Sequence, residues 1–194
     1  MTEEALIWKK FKDGSEAALA VLIRRHSKPL AQYGRKLVKD DDLIQDCIQD
    51  TYIQLWQYRK NLRQLDEIRP YLFTCLRRKI IHSFRSQSHY ALGLEEDTPF
   101  LTEFSIEDRL IENETEAQQV AQLNHYLNLL PKRQKEAIYL RFFENMANDE
   151  IASIMGIKYQ TATNLIHDGL SQLRRSLAPE SLSLFWLFCG APGC

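Results

Sequence analysis

The chain is predicted to be all-α, two small helical domains on either side of a flexible acidic linker, and three observations lead there. Apolar residues recur at three-to-four spacing over long stretches. No stretch sustains the two-residue alternation that a half-buried strand requires. From Gly93 to Glu116 the composition shifts, with Glu95, Glu96, Asp97, Glu103, Glu107, Asp108, Glu112, Glu114 and Glu116 set against Arg109 alone. Such a charge run marks a domain boundary, so the domains are expected at 1–92 and 117–178, with 93–116 as linker and 179–194 as a hydrophobic tail.

In the first domain, Gly14 and Ser15 set up a helix start before EAALAVLIRRHSKPLAQYGRKLV, a segment that Pro29 is expected to break or kink. A second helix is predicted from about Asp42 to Tyr58. Its apolar side carries Leu43, Ile44, Cys47, Ile48, Thr51, Tyr52, Leu55 and Trp56, and its outer side Asp46, Gln49 and Asp50. After a polar stretch from Lys60 to Ile68, Pro70 can open a third helix, YLFTCLRRKIIHSFRSQ. Cations gather here: Arg59, Lys60, Arg63, Arg69, Arg77, Arg78, Lys79 and Arg85 face only Asp66 and Glu67. Tyr58, Tyr71, Phe73 and Phe84 lie among them, and rings beside cations suit single-stranded DNA, although Phe73 and Phe84 also fit a core.

In the second domain, EAQQVAQLNHYLNLL and PKRQKEAIYLRFFE read as helices divided at Pro131. They lead into EIASIMGIKYQTATNLI, where an isolated glycine, Gly156, interrupts one apolar stripe. Glycine inside a helix costs about 1 kcal/mol relative to alanine, so its presence signals a turn between two helices. Asn148 can cap the first, and Ile157 can plug the corner. The second starts near Lys158 and shows Lys158, Tyr159, Gln160, Thr163, Asn164 and His167 outward, with Ala162, Leu165 and Ile166 inward. This is a helix-turn-helix pattern, whose second helix lies in a DNA major groove.

Totals bound the alternatives. The 194 residues carry a net charge of −1, so nucleic-acid binding must rest on local patches. No apolar run approaches the roughly 20 residues that span a bilayer, and the start of the chain lacks the apolar core of a signal peptide, so the expectation is a cytoplasmic protein without membrane insertion. The four cysteines, Cys47, Cys75, Cys189 and Cys194, form no CxxC pair and the five histidines are scattered. No metal, cofactor or small-molecule substrate is therefore expected, and reduced thiols suit Cys47 and Cys75. Neither clustered carboxylates, a cysteine–histidine arrangement nor a phosphate-binding glycine loop supports an enzyme.

The order of these parts resembles the extracytoplasmic-function sigma factors of bacterial RNA polymerase, sigma-70 family, especially the Bacteroidetes-like type. DLIQDCIQDTYIQLW is similar to the family's clamp-binding helix. RPYLFTCLRRKIIHSFR is similar to its helix facing the minus-ten promoter element. LPKRQKEAIYLRFFENMANDEIASIMGIKYQTATNLIHDGLSQLRR is similar to its minus-thirty-five domain. The resemblance implies a non-enzymatic promoter-specificity subunit, with a region 2 bundle and a region 4 helix-turn-helix.

It further implies core RNA polymerase as partner, through the β′ clamp and the β flap, with Asp46, Gln49 and Asp50 meeting the coiled coil of the clamp. For the minus-ten strand it implies Asn61, Arg63, Arg69, Tyr71, Arg77, Arg78 and Arg85, the Asn61 to Ile68 loop capturing a flipped base. For the minus-thirty-five duplex it implies Lys158, Tyr159, Gln160, Thr163, Asn164, His167, Arg174 and Arg175. Lys158 stands where relatives usually have a serine cap. An anti-sigma factor is the implied inhibitor. The alternative reading is a dimeric helix-turn-helix regulator with no affinity for core polymerase.

Overall fold

The computed structural model describes residues 2–87, 100 and 114–177, apart from the side chains of 84–87 and 114–117. All regular structure among them is helical. The chain divides into two compact units, 1–99 and 100–194.

The first unit holds α1 (Glu3–Lys12), α2 (Glu16–Leu37), α3 (Asp41–Tyr58) and α4 (Arg69–Gln87). Each of the first three starts on a side-chain cap. Thr2 Oγ1 accepts from the Ala5 N–H at 3.2 Å, Ser15 Oγ from Ala18 at 3.2 Å and Asp40 Oδ1 from Leu43 at 3.0 Å. Acidic residues follow in each first turn, where the helix dipole favours them. Leu22, Leu30, Tyr33, Ile44, Leu72, Phe73 and Leu76 meet in the core, Tyr33 stacked on Phe73 at 5.0 Å. Phe73 is thus a core ring.

Pro29 does not break α2. The helix runs on to Leu37, because its buried row of Leu22, His26, Leu30, Tyr33 and Leu37 packs along the bundle and outweighs one missing backbone bond. α2 comes close to α3 at Gly34, where an added Cβ would stand 2.7 Å from Ile44 Cγ2.

The second unit holds α5 (Glu114–Leu129), α6 (Lys132–Ile138), α7 (Asn148–Met155) and α8 (Tyr159–Ser176). α6 is not one helix through PKRQKEAIYLRFFE but passes into a π-helical turn, Tyr139–Phe143. The turn is tied down by Tyr139 O–H donating to Glu144 Oε1 at 2.6 Å and by Tyr139 stacking on Phe143 at 5.7 Å. The buried Phe100 packs against Tyr139 at 6.0 Å.

Of the proposed linker, Gly93 to Pro99 and Leu101 to Asn113 lie outside the described residues, as does the tail from Ala178 to Cys194.

Candidate nucleic-acid interface

The turn at Gly156 has the geometry its sequence suggests. Gly156 takes φ +67°, the left-handed conformation that ends helices, and the Ile157 N–H reaches back to the Ala152 carbonyl at 2.9 Å. Asn148 is not the cap of α7. Ala147 occupies that position, and its N–H donates to Glu150 Oε2 at 2.6 Å, a carboxylate in the first turn closing the helix end. Asn148 instead donates through Nδ2 to Thr163 Oγ1 at 3.3 Å, joining α7 to α8.

Along α8, Ala162, Ile166 and Leu173 are buried, and Tyr159, Gln160, Asn164, His167, Arg174 and Arg175 are exposed. Lys158 precedes the helix, exposed, and makes no side-chain cap. Thr163 departs from the expectation of a base contact. It is half-buried and its hydroxyl serves the motif itself, donating to the Tyr159 carbonyl at 3.1 Å while accepting from Asn148. Gly169, which reads as a weak point of the helix, is buried against Ile138 of α6.

In the first unit, Asp46, Gln49 and Asp50 line the solvent side of α3. Lys79 Nζ approaches Asp50 Oδ2 at 3.9 Å, with the Asp50 side chain 68% exposed. Beside this acidic stripe runs a groove of about 520 Å³ between α2 and α3, walled by Ile23, Ile53, Tyr52 and Trp56 and reaching Gln49. Ile23 and Ile53 are exposed there. Periodicity in α3 alone could not reveal the groove, since half of it belongs to α2.

The segment between α3 and α4 opens with a 3₁₀ turn, Arg59–Asn61. Arg59 lies over the Trp56 ring, 4.1 Å from its centroid, and donates to the Trp56 carbonyl. Asn61 and Arg63 are exposed, and Ile68 is fully buried at the far end. Tyr71 is half-buried, edge-on to Trp8 at 6.2 Å. Burial, with Cys75 beside it, pushes its phenol up to about 12. Two clefts share Tyr71 and Leu62 as walls: one of about 360 Å³ toward Trp8, Asn61 and Arg63, and one of about 500 Å³ toward Tyr58, Cys75, Arg78 and Lys79.

Arg78 is exposed and Arg69 half-exposed, the latter over the Phe73 ring at 5.4 Å. Arg77 requires a correction. It is only 7% exposed, because it falls in the same inward row as Phe73, Leu76 and Ile80, so its guanidinium is not on the surface. The side chains of Phe84 and Arg85 lie outside the described residues. Burial raises both described thiols, Cys47 and Cys75.

α1 is a helix beyond those expected from the sequence. Thr2, Trp8 and the Ala5 backbone all bond the 61–68 loop, and a cap residue followed by buried Ala5, Trp8 and Phe11 at helical spacing was the signal available.

Comparison with known proteins agrees with this geometry. The sequence model of sigma-70 region 2 matches residues 22–90, and that of sigma-70 region 4 matches residues 121–173. RNA polymerase sigma factor SigV of Bacillus subtilis is 27% identical over 174 residues, covering 90% of this chain and 99% of that protein. An RNA polymerase sigma-E factor of Streptomyces coelicolor is 29% identical over 165 residues, covering 82% of this chain and 86% of the relative.

Among solved structures, CnrH in complex with the cytosolic domain of CnrY aligns with a TM-score of 0.59 at 18% identity, over 89% of this chain and 95% of that one. Sigma factor RpoE, in its complex with the anti-sigma factor NepR from Bartonella quintana, aligns with a TM-score of 0.51 at 19% identity, over 81% and 91%. These likenesses concern the fold. With both regions matched in order, one on each helical unit, the chain belongs to the sigma-70 family, as an RNA polymerase sigma factor of the extracytoplasmic-function group.

Proposed function

We propose that this chain binds core RNA polymerase, directs it to specific promoters and opens DNA at the upstream edge of the bubble, acting in the cytoplasm without catalysing a reaction itself. The observation that carries the reading is a pair of surfaces on the first unit: an exposed acidic stripe on α3, and a loop with exposed Asn61 and Arg63 beside Arg69 and Arg78. Asp46, Gln49 and Asp50 would meet the β′ clamp. The apolar groove beside them offers area that rim charges lack, since charge chiefly steers encounter while buried apolar surface holds a complex.

The minus-ten strand would run along the loop. Arg63, Arg69 and Arg78 hold phosphates and fix register, and the cleft beside Asn61 and Tyr71 receives a flipped base. Unstacking costs a few kcal/mol per base, which stacking on an aromatic wall, about 1–3 kcal/mol, and the cations can offset. No covalent step is needed.

In the second unit, Tyr159, Gln160, Asn164 and His167 would read duplex bases, with Lys158, Arg174 and Arg175 on phosphates. Gln160 and Asn164 are suited to bidentate pairing with adenine. This unit would also meet the β flap. The domain limits we propose are 1–92 and 117–178, joined by the acidic segment, with 179–194 as tail. An anti-sigma factor is the proposed inhibitor, as for the solved RpoE–NepR complex. Family membership displaces the alternative of a dimeric regulator without polymerase affinity.

The test is transcription from a cognate promoter by the purified chain with core polymerase, alongside Asp50→Lys. Asp50 is exposed and its contact with the half-buried Lys79, at 3.9 Å, is worth about 0–1 kcal/mol, so the variant stays folded. Loss of core binding at unchanged unfolding midpoint is expected. A wild-type chain that does not bind core, or binds only as a symmetric dimer to a palindrome, would overturn the proposal.

A further inference from the structure

We infer that α1 is a brace that sets the geometry of the 61–68 loop, with Trp8 as its positioning residue; the inference rests on the proposed role of that loop in capturing an unstacked base. Three hydrogen bonds tie the two segments together. Trp8 Nε1–H donates to the Arg63 carbonyl at 3.0 Å, Gln64 Nε2–H to the Ala5 carbonyl at 3.2 Å, and Thr2 Oγ1–H to the Asp66 carbonyl at 3.3 Å. They seize the loop at Arg63, Gln64 and Asp66, midway between its ends.

Trp8 is fully buried, so its side of the part-buried bond to Arg63 is shut off from water, and a donor left unpaired there is penalised more than an exposed one. Its ring is held in turn. Trp8 stacks on Phe11 at 5.1 Å and meets Tyr71 edge-on, and Phe11 reaches Trp56 at 6.0 Å, the ring that Arg59 covers. A row of aromatic contacts therefore runs from the start of the loop to its middle.

Residues 62–68 belong to no helix, so without such ties their backbone would sample many conformations. Telling one base from another needs donors and acceptors in fixed places, held by groups that need not touch the ligand. The structure has that division: the Arg63 carbonyl is fastened while the Arg63 and Asn61 side chains are exposed. Trp8 also walls the 360 Å³ cleft on which both border.

Hydrogen exchange of the full chain across 59–68 tests the brace directly, using Trp8→Phe and the double variant Thr2→Ala/Gln64→Ala. The first keeps a ring and removes the donor. The second changes exposed side chains in the loop and at the start of α1, where Thr2→Ala also removes the helix cap, so Gln64→Ala alone is measured beside it; the core residues are unchanged. Exchange in the loop is expected to rise about fivefold or more in both, with α2 and α3 unchanged.

The second arm selects strands bound by holoenzyme from single-stranded DNA randomised over the opened segment. Both variants are expected to lower the base preference at one position about fivefold, with core affinity and salt dependence within about twofold. Unchanged exchange in both variants overturns the brace. Faster exchange with full base preference overturns its part in reading. Core affinity lost together with preference overturns positioning in favour of a general structural role. A wild-type holoenzyme with no base preference defeats the proposed function of the loop, and exchange alone then decides the brace.

Discussion

Gly34→Ala should destabilise the first unit, against what helix propensity says. Gly34 is buried in the last turn of α2, where alanine is favoured over glycine by up to about 1 kcal/mol. The new Cβ, however, would sit 2.7 Å from Ile44 Cγ2 and 3.2 Å from Ile44 Cγ1. The first contact is about 1 Å inside the 3.5–4.0 Å optimum for carbon pairs. Ile44 is fully buried and β-branched in a helix, with one strongly preferred rotamer, so it cannot swing aside and α3 must move.

Overpacking of this kind costs about 1–3 kcal/mol, which leaves a net loss of about 0–2 kcal/mol after the full propensity gain. Each 1 kcal/mol lost lowers the thermal midpoint of a unit this size by about 4–8 °C. Urea unfolding of the full chain reads it as a lower midpoint at unchanged slope. Ile44→Val in the same background gives no rescue, since valine keeps both γ carbons. A Gly34→Ala chain more stable than wild type, or one rescued by Ile44→Val, would refute the close packing. Because α3 carries Asp46, Gln49 and Asp50, core binding should weaken alongside.

The corresponding change in α8 should differ in sign. At Gly169 the nearest atoms are Ile138 Cγ1 at 3.2 Å and Cδ1 at 3.5 Å, so a shift of a few tenths of an ångström suffices, and Gly169→Ala should be neutral to about 0.5 kcal/mol stabilising in the same urea assay. The first unit should lose stability in acid through His26, which is buried beside Glu4 at 3.2 Å and whose imidazole is lowered from 6.5 to about 4 by burial, then by Arg69 and Arg25. The unfolded chain takes that proton first, so stability is full above about 6.5 and falls toward about 4. His26 alone sets a loss of about 2 kcal/mol at a pH of about 5, and the raised carboxyl of Glu4 works the other way and reduces it. Thermal midpoints at neutral and acid pH read this, and a His26→Gln chain with undiminished acid sensitivity would exclude His26 as its source. In duplex titrations, Gln160→Ala should cost about 1–3 kcal/mol of discrimination at one base pair, whereas Arg174→Ala should weaken all sequences and reduce the salt slope by about one. Equal losses on all sequences for both variants would reject the division between reading and anchoring.

Much of the fold was legible because each helix buries one face, and a 3.6-residue period records that face along the chain. The turn at Gly156 was legible for the same reason: only glycine takes its left-handed backbone without strain. The inward position of Arg77 was legible too, three to four residues from Phe73 and Ile80, but charge drew the reading outward. The continuation of α2 through Pro29 was not, because proline's cost is local while the packing that offsets it comes from other helices. The role of α1 was hidden by distance. Its bonds to the loop join residues 55, 59 and 64 positions apart, beyond any periodic signal.

By itself, then, the sequence determined the helical class, the acidic face of α3 and the exposed face of α8, since each is written as a short-range alternation of apolar and polar side chains. Tertiary structure alone decided that α2 runs on through Pro29, how near α2 comes to α3 at Gly34, and that a loop without backbone repeats is held by an N-terminal helix. Those outcomes depend on contacts between distant segments, whose energies no local pattern encodes.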